Sequence, residues 1–261
     1  MSLPDALPGE RQQAILGLLQ SEGRVLAAAL ATRFGVSEDS IRRDLRELAQ
    51  RGLCRRVHGG ALPVTPTFPP LRERRQQDAP RKQALALAAV GLLAHGDCVA
   101  LDAGSTNSAI AAVLPPDLQL RVVTNAPDIA LTLIERAGVE VTLIGGRLQP
   151  HCGAVLGAQA MESLQELRLD VYFAGTCAVD SDGTAWSIDG EEAAFKRALL
   201  RRADRLVVVA SNEKLGAVGT HRIAVRSQVD VLLVESDAPL ALCDALRSSG
   251  LDVRNSAPAH A

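Results

Sequence analysis

Apolar residues recur at helical spacing in three short blocks near the N-terminus, and then in a different rhythm further on. Residues 10–21 predict a first helix with Ile15, Leu18 and Leu19 on one stripe; residues 24–34 predict a second with Leu26, Leu30 and Phe34 inward. A Gly35-Val36-Ser37 turn follows, and Ser37 has the chemistry of an N-cap for a third helix over 38–51, whose Ile41, Leu45 and Leu48 repeat at i, i+4, i+7. Gly52 suits a left-handed stop. Residues 53–61 alternate and turn, which reads as a β-wing. Four prolines (Pro63, Pro66, Pro69, Pro70) then interrupt all periodicity, the mark of an extended linker, and a charged stretch over 71–82 leads into a helix ending near Ala94.

Beyond that point, apolar runs at 98–103, 120–124, 139–144, 170–174, 205–210 and 229–235 alternate with helical patterns at 105–114, 127–137, 158–167, 191–203 and 239–248. Continuous rather than alternating apolar strands indicate a sheet covered on both faces, and strand–helix alternation makes it mostly parallel. The expected fold class is α/β: a winged helix-turn-helix over 1–62, a Pro-rich linker over 63–81, an α/β effector-sensing domain over 82–254, and a frayed tail over 255–261.

Composition sharpens this picture in three places. Hydrophobic residues make up 47% and aromatics only 2%, so the core must be aliphatic, which favours α/β packing. Five scattered cysteines without a CxxC pair argue against a disulfide framework or zinc site; Cys152 and Cys177 could sit near a ligand. No apolar run spans a bilayer and no signal pattern opens the chain, so a cytoplasmic protein without a membrane partner is expected. The net charge of −2 hides an asymmetry: through Gln83 there are 14 Lys and Arg against 9 Asp and Glu, and acids dominate the rest. A basic head on an acidic body is expected where one end meets a polyanion.

The candidate chemistry lies in two places. Ser37, Ser40, Arg42, Arg43 and Arg46 fall on the polar side of the third helix, and Arg55, Arg56 and His58 on the wing. Arginine forks can hold guanine edges or phosphates, and serines at a helix start can contact phosphate. A charged helix alone would serve equally as a solvated face; three helices, a tight turn and a basic wing in this order point to double-stranded DNA. In the second half, Asp102, Gly104, Ser105 and Thr106 sit where a strand runs into a helix, a place with unpaired N–H groups that suits an anion. Thr124, Asn125, Gly145 and Gly146 close neighbouring strands, and in open α/β sheets such ends converge on ligands. Glu192 and Lys196 form an i,i+4 pair that could be a surface salt bridge or part of a site, and Lys214 could reach an anion or lie in solvent. Asp180, Asp182 and Gly183 fit a loop better than a metal site.

VSEDSIRRDLRELAQRGLCRRVHGGA (36–61) resembles the N-terminal signature of the DeoR family of transcription regulators. LDAGSTN, VVTNAPDIA, LIGGRL, EEAAFKRALLRRAD and VVVASNEKLG resemble successive motifs of that family's effector domain. The resemblance implies that Arg42, Arg43, Arg55 and Arg56 face DNA; Asp44, an acid beside two arginines, has the chemistry to orient a guanidinium. The resemblance also implies a second domain folded like ribose-5-phosphate isomerase, with a phosphorylated sugar near Asp102, Gly104, Ser105, Thr106, Thr124, Asn125, Glu192, Lys196 and Lys214. The chain departs from the family at Ser211, where Asp is common.

The expected protein is a ligand-controlled regulator of carbohydrate genes, a repressor and a homo-oligomer, with no cofactor and no metal. A sugar-phosphate isomerase or deaminase would need a general base at the substrate carbon, for which only Glu192 with Lys196 or Lys214 offers material. A DNA-binding protein without a ligand is the third reading.

Overall fold

In the computed structural model residues 8–22, 24–51, 53–62 and 71–259 are described, and their buried apolar side chains form two separate cores. The head runs α1 (Pro8–Glu22), β1 (Val25–Leu26), α2 (Ala27–Phe34), α3 (Glu38–Gln50), β2 (Arg55–Val57) and β3 (Gly60–Leu62). Ile15 and Leu19 of α1, Leu30 and Phe34 of α2, and Ile41, Leu45 and Leu48 of α3 fill its core.

The second helix is shorter than its pattern suggests. Val25 and Leu26 pair with Ala61 and Gly60 of the wing, so Leu26 is 53% exposed instead of pointing inward. Gly60 permits this pairing: a Cβ there would lie 1.9 Å from the Val25 carbonyl oxygen. α2 ends at Gly35 with φ 65, and α3 opens at Ser37, whose hydroxyl accepts the Ser40 N–H. α3 closes on Arg51; Gly52, expected as its stop, lies outside the described residues, as do the four linker prolines.

The second half of the expected linker is helical. Leu71–Gln76 forms α4 and Ala79–Val90 forms α5, separated by Asp78 at φ 49 and with Pro80 in the first turn of α5. The chain then continues β4 (Cys98–Leu101), α6 (Ser105–Val113), β5 (Leu120–Thr124), α7 (Pro127–Leu133), β6 (Val139–Leu143), β7 (Arg147–Gln149), β8 (Ala154–Leu156), α8 (Ala158–Glu162) and β9 (Leu169–Gly175). After it come β10 (Ala178–Val179), β11 (Ala185–Ser187), α9 (Gly190–Leu200), β12 (Ala203–Ala210), β13 (His221–Ala224), β14 (Val231–Val234), α10 (Leu240–Ser248) and β15 (Asp252–Asn255).

Seven of these strands form one sheet in the order β15-β14-β12-β9-β4-β5-β6, every neighbouring pair parallel. Val171–Ala174, Leu206–Ala210 and Val231–Val234 are buried at consecutive positions, so both faces of the sheet are covered. The tail is shorter than expected: Asn255 belongs to β15 and the Ser256 N–H donates to the Val234 carbonyl at 2.8 Å. Two small antiparallel groups, β7-β8 and β10-β11-β13, interrupt the strand–helix rhythm.

This topology fixes where a ligand can bind. From central β4 the chain moves to β5 and β6 on one side, then returns to place β9 on the other. The loops after β4 and β9 therefore diverge at the sheet's carboxyl edge, leaving a crevice between them. Among the described residues no helix is long and apolar enough to cross a membrane, and no group of three or more His, Cys, Asp or Glu could hold a metal ion.

Candidate functional site

A cavity of about 270 Å³ opens at that crevice. Its walls come from Gly104–Asn107 at the start of α6, Gly175–Cys177 after β9, Glu192 of α9, Lys214, the β7–β8 hairpin, and Arg74 of α4.

Asp102, at the end of β4, organises the floor. Its carboxylate is fully buried and accepts four bonds: from Asn107 Nδ2 and the Gly175 N–H, both at 2.8 Å, from Lys196 Nζ at 2.7 Å, and from the Tyr172 hydroxyl. Gly175 is required here, since a Cβ on it would sit 2.7 Å from Asp102 Oδ1. Burial pushes the Asp102 carboxyl up and Lys196 holds it down. Burial opposes the Lys196 charge too, but Asp102 and Glu192 (3.1 Å) outweigh it and hold the ammonium well above its ordinary range. The pair is a buried strut, and Lys196 is not on the cavity wall.

Lys214 is the opposite case. It is 7% exposed and lines the cavity, yet among the described residues its ammonium has no ion pair or hydrogen bond. Burial pushes its pKa down. An uncompensated cation in a cavity is costly unless an anion visits. Around it, Ser105, Thr106 and Asn107 begin α6, where first-turn N–H groups have no helical acceptor. Thr106 Oγ1 and Asn107 Oδ1 are buried without a partner among the described residues. The cavity thus offers a cation and N–H donors to an anion, and a hydroxyl and an amide oxygen to neighbouring polar atoms.

In the head, α3 presents a polar face. Arg43 and Arg46 are exposed, Arg42 is exposed but leans on Glu38 at 3.1 Å and Asp39 at 3.4 Å, and Ser37 and Ser40 share a 2.9 Å hydroxyl contact at the N-terminus. Arg55, Arg56 and His58 stand exposed on the wing. Asp44 is buried and does orient a guanidinium, but that of Arg11 on α1 (2.6 Å), not an arginine of its own helix.

The sequence matches the DeoR C terminal sensor domain over residues 77–236 and the DeoR-like helix-turn-helix domain over residues 11–67. The chain belongs to the DeoR family. The HTH-type transcriptional regulator GlpR of Haloferax volcanii is 34% identical over 95% of this chain and 97% of its own length. The glycerol-3-phosphate regulon repressor of Escherichia coli K12 is 30% identical over 91% of this chain and 94% of its own. Among solved structures, ribose 5-phosphate isomerase A of Methanocaldococcus jannaschii is 16% identical over 53% of this chain and 55% of its own, with a TM-score of 0.40. This DeoR-family chain is therefore a transcription regulator with a DNA-binding helix-turn-helix and an α/β sensor.

Of the residues expected at its effector site, Gly104, Ser105, Thr106, Glu192 and Lys214 share the cavity wall. Asp102 and Lys196 lie beneath it. Thr124 and Asn125 are buried supports: Thr124 Oγ1 accepts the Ala126 N–H, while Asn125 accepts from the Ala103 N–H and donates to the Val155 carbonyl, tying the α6 loop to β8. Gly145 and Gly146 are off the wall; Gly146 (φ 144) packs where a Cβ would meet the Leu156 oxygen at 2.9 Å. Ser211 turns to Glu213 at 2.7 Å. Sequence reasoning missed Arg74, Gln149, His151, Ile188 and Asp189 on the wall, because the β7–β8 hairpin, the turn between β11 and α9, and α4 carried no ligand signal of their own. Cys152 and Cys177 both line it, and burial pushes both thiols up.

Proposed function

We propose that this regulator represses genes of carbohydrate uptake or catabolism, and that a phosphorylated sugar or related metabolite bound in the cavity controls its grip on operator DNA. The observation that carries this reading is Lys214, a buried cation with no ion pair or hydrogen bond among the described residues, which shares the cavity wall with the first turn of α6. The orphaned Thr106 hydroxyl and Asn107 oxygen suit a ligand with hydroxyls beside its anion. In the head, Ser37, Ser40, Arg42, Arg43 and Arg46 read the duplex with Arg55, Arg56 and His58 on the wing. The acting form is a cytoplasmic homo-oligomer, whose paired heads span half-sites separated by whole helical turns.

The chain acts by binding, not catalysis. Glu192, the carboxylate on the cavity wall best placed to serve as a base, has one oxygen on Lys196 (3.1 Å) and the other on the Ser187 hydroxyl (3.2 Å). An effector that favours one arrangement of heads shifts operator affinity by its differential binding, of order 1–3 kcal/mol. The test is a footprint of the purified chain on DNA upstream of its own gene and its neighbours, with and without glycerol 3-phosphate, hexose phosphates and the free sugars. Protection that phosphorylated compounds relieve and free sugars leave intact is the expected result. Protection indifferent to every compound supports a regulator without a ligand, and turnover of any phosphate ester supports the isomerase reading instead.

A further inference from the structure

Arg74 falls between the two matched domains, since the head match ends at residue 67 and the sensor match begins at residue 77. Its helix α4 is the first described segment after residues 63–70, so it lies on the chain path from the DNA-binding head to the sensor. α4 is fastened to the sensor at several points. Leu71 is buried against Gly153, where a Cβ would stand 2.4 Å from Leu71 Cδ2, and the Leu71 N–H donates to the His151 carbonyl at 3.2 Å. Arg75 pairs with Asp128, which also accepts the Ser108 hydroxyl of α6 at 2.8 Å. Lys82, buried on α5, donates to the carbonyls of Arg74 and Gln77.

These contacts leave the Arg74 side chain on the wall of the same cavity as Lys214. Burial pushes the Lys214 ammonium down, Cys177 and Glu213 hold it up, and the charges of Arg74 and Lys82 push it down. Two cations, Arg74 and Lys214, thus share one cavity wall where the sensor body meets the segment that follows the head in sequence. Repulsion between Arg74 and Lys214 opposes docking of α4, and an anion between them would reverse its sign.

We propose that α4 is an effector clasp: Arg74 binds the anionic group of the ligand together with Lys214, so that occupancy draws the connecting segment onto the sensor. This rests on the reading of the cavity as an anion site and adds the route by which binding reaches the head. The ligand favours the docked state of α4 because the docked state alone presents both cations to it. The segment between the two matched domains is then a part of the binding site and not a passive spacer.

The test uses the full chain with inorganic phosphate as probe and chloride at matched ionic strength as control. Thermal shift gives the half-saturating phosphate concentration, and hydrogen exchange reports protection over residues 71–77 and 105–107. Phosphate should slow exchange in both segments. Arg74→Ala and Lys214→Ala should each raise the half-saturating concentration at least tenfold, whereas Arg72→Ala, which removes an exposed charge from the same helix, should leave it within threefold. Arg74→Lys, which keeps the charge, should fall between Arg74→Ala and the unaltered chain. If Lys214→Ala loses phosphate while Arg74→Ala binds it normally, or if exchange slows over 105–107 only, the clasp is overturned and the cavity reading stands. If the unaltered chain does not respond to phosphate, or if neither substitution matters, both are overturned.

Discussion

Two buried lysines in one domain do opposite things, and the difference lies in their partners. Lys196 is locked between Asp102 and Glu192, so Lys196→Met leaves the Asp102 carboxylate buried beside only neutral donors. Breaking a buried pair from one side costs about 3–5 kcal/mol; urea unfolding should show that loss. Lys214 has no such partner among the described residues, so Lys214→Met should leave unfolding stability unchanged or improved while abolishing the response to phosphate esters. Asp180 supplies a pH test. Burial and a bond to Asp182 raise its carboxyl from 3.8 to about 7, against the Trp186 N–H (2.7 Å) and the Thr184 N–H, which hold it down. Between these two values the folded state keeps a proton that the unfolded chain has released, so this group's contribution to stability falls as pH rises through that window. Asp182 is held below its usual value and acts only in stronger acid. Urea midpoints at pH 5 and pH 7.5 should differ more for the unaltered chain than for Asp180→Asn; equal differences would remove Asp180 as the titrating group.

At the scale of elements, sequence pattern succeeds where an element buries a face by itself and fails where a distant strand decides. Six of the seven parallel strands fall on apolar runs and Ser37 or Ser105 at a helix start is a local signal, whereas β15, Asp-Val-Arg-Asn, has no apolar run to announce it. Leu26 has good helical spacing; only pairing with Gly60, thirty-four positions away, makes it a strand residue with an exposed side chain. The strands β7, β8, β10 and β11 are two or three residues long, too short for periodicity to register, yet the β7–β8 hairpin and the segments flanking β10 and β11 build much of the cavity wall. Arg74 sits in a charged stretch with no ligand signal of its own, and its place depends on Leu71, Arg75 and Lys82 holding α4 down. The wing glycines turn this into a measurement. Gly60→Ala drives a methyl into the Val25 backbone and should cost the head at least about 1–3 kcal/mol, weakening DNA binding with it. Gly59→Ala meets nothing within 4 Å and carries only the strain of φ 78, about 1–2 kcal/mol. Thermal melting of the two variants should keep that order. On α3, Arg43→Ala should lower the slope of log affinity against log salt by about one if it holds a phosphate; an unchanged slope with relaxed sequence preference would place it on a base edge instead.

At the scale of the molecule, the two cores give the chain two units that can unfold separately. The head relies on some eleven buried apolar residues in three short helices and a three-stranded sheet, and the sensor on a seven-stranded sheet with its helices. A small core leaves a small margin, so the head should melt as its own transition. A ligand that binds only the folded sensor stabilises it by RT ln(1 + [L]/Kd), about 2.7 kcal/mol at a hundredfold excess over Kd. Calorimetry with a saturating phosphate ester should therefore move the larger transition upward and leave the smaller one in place. The Arg42→Ala plus Arg43→Ala variant should show the same two transitions, because both side chains are exposed and lie outside the core, while specific operator protection disappears. A ligand that moved both transitions together would mean that head and sensor melt as one body. The effector's free energy would then reach the operator through a rigid interface and not through a short helix drawn onto the sensor.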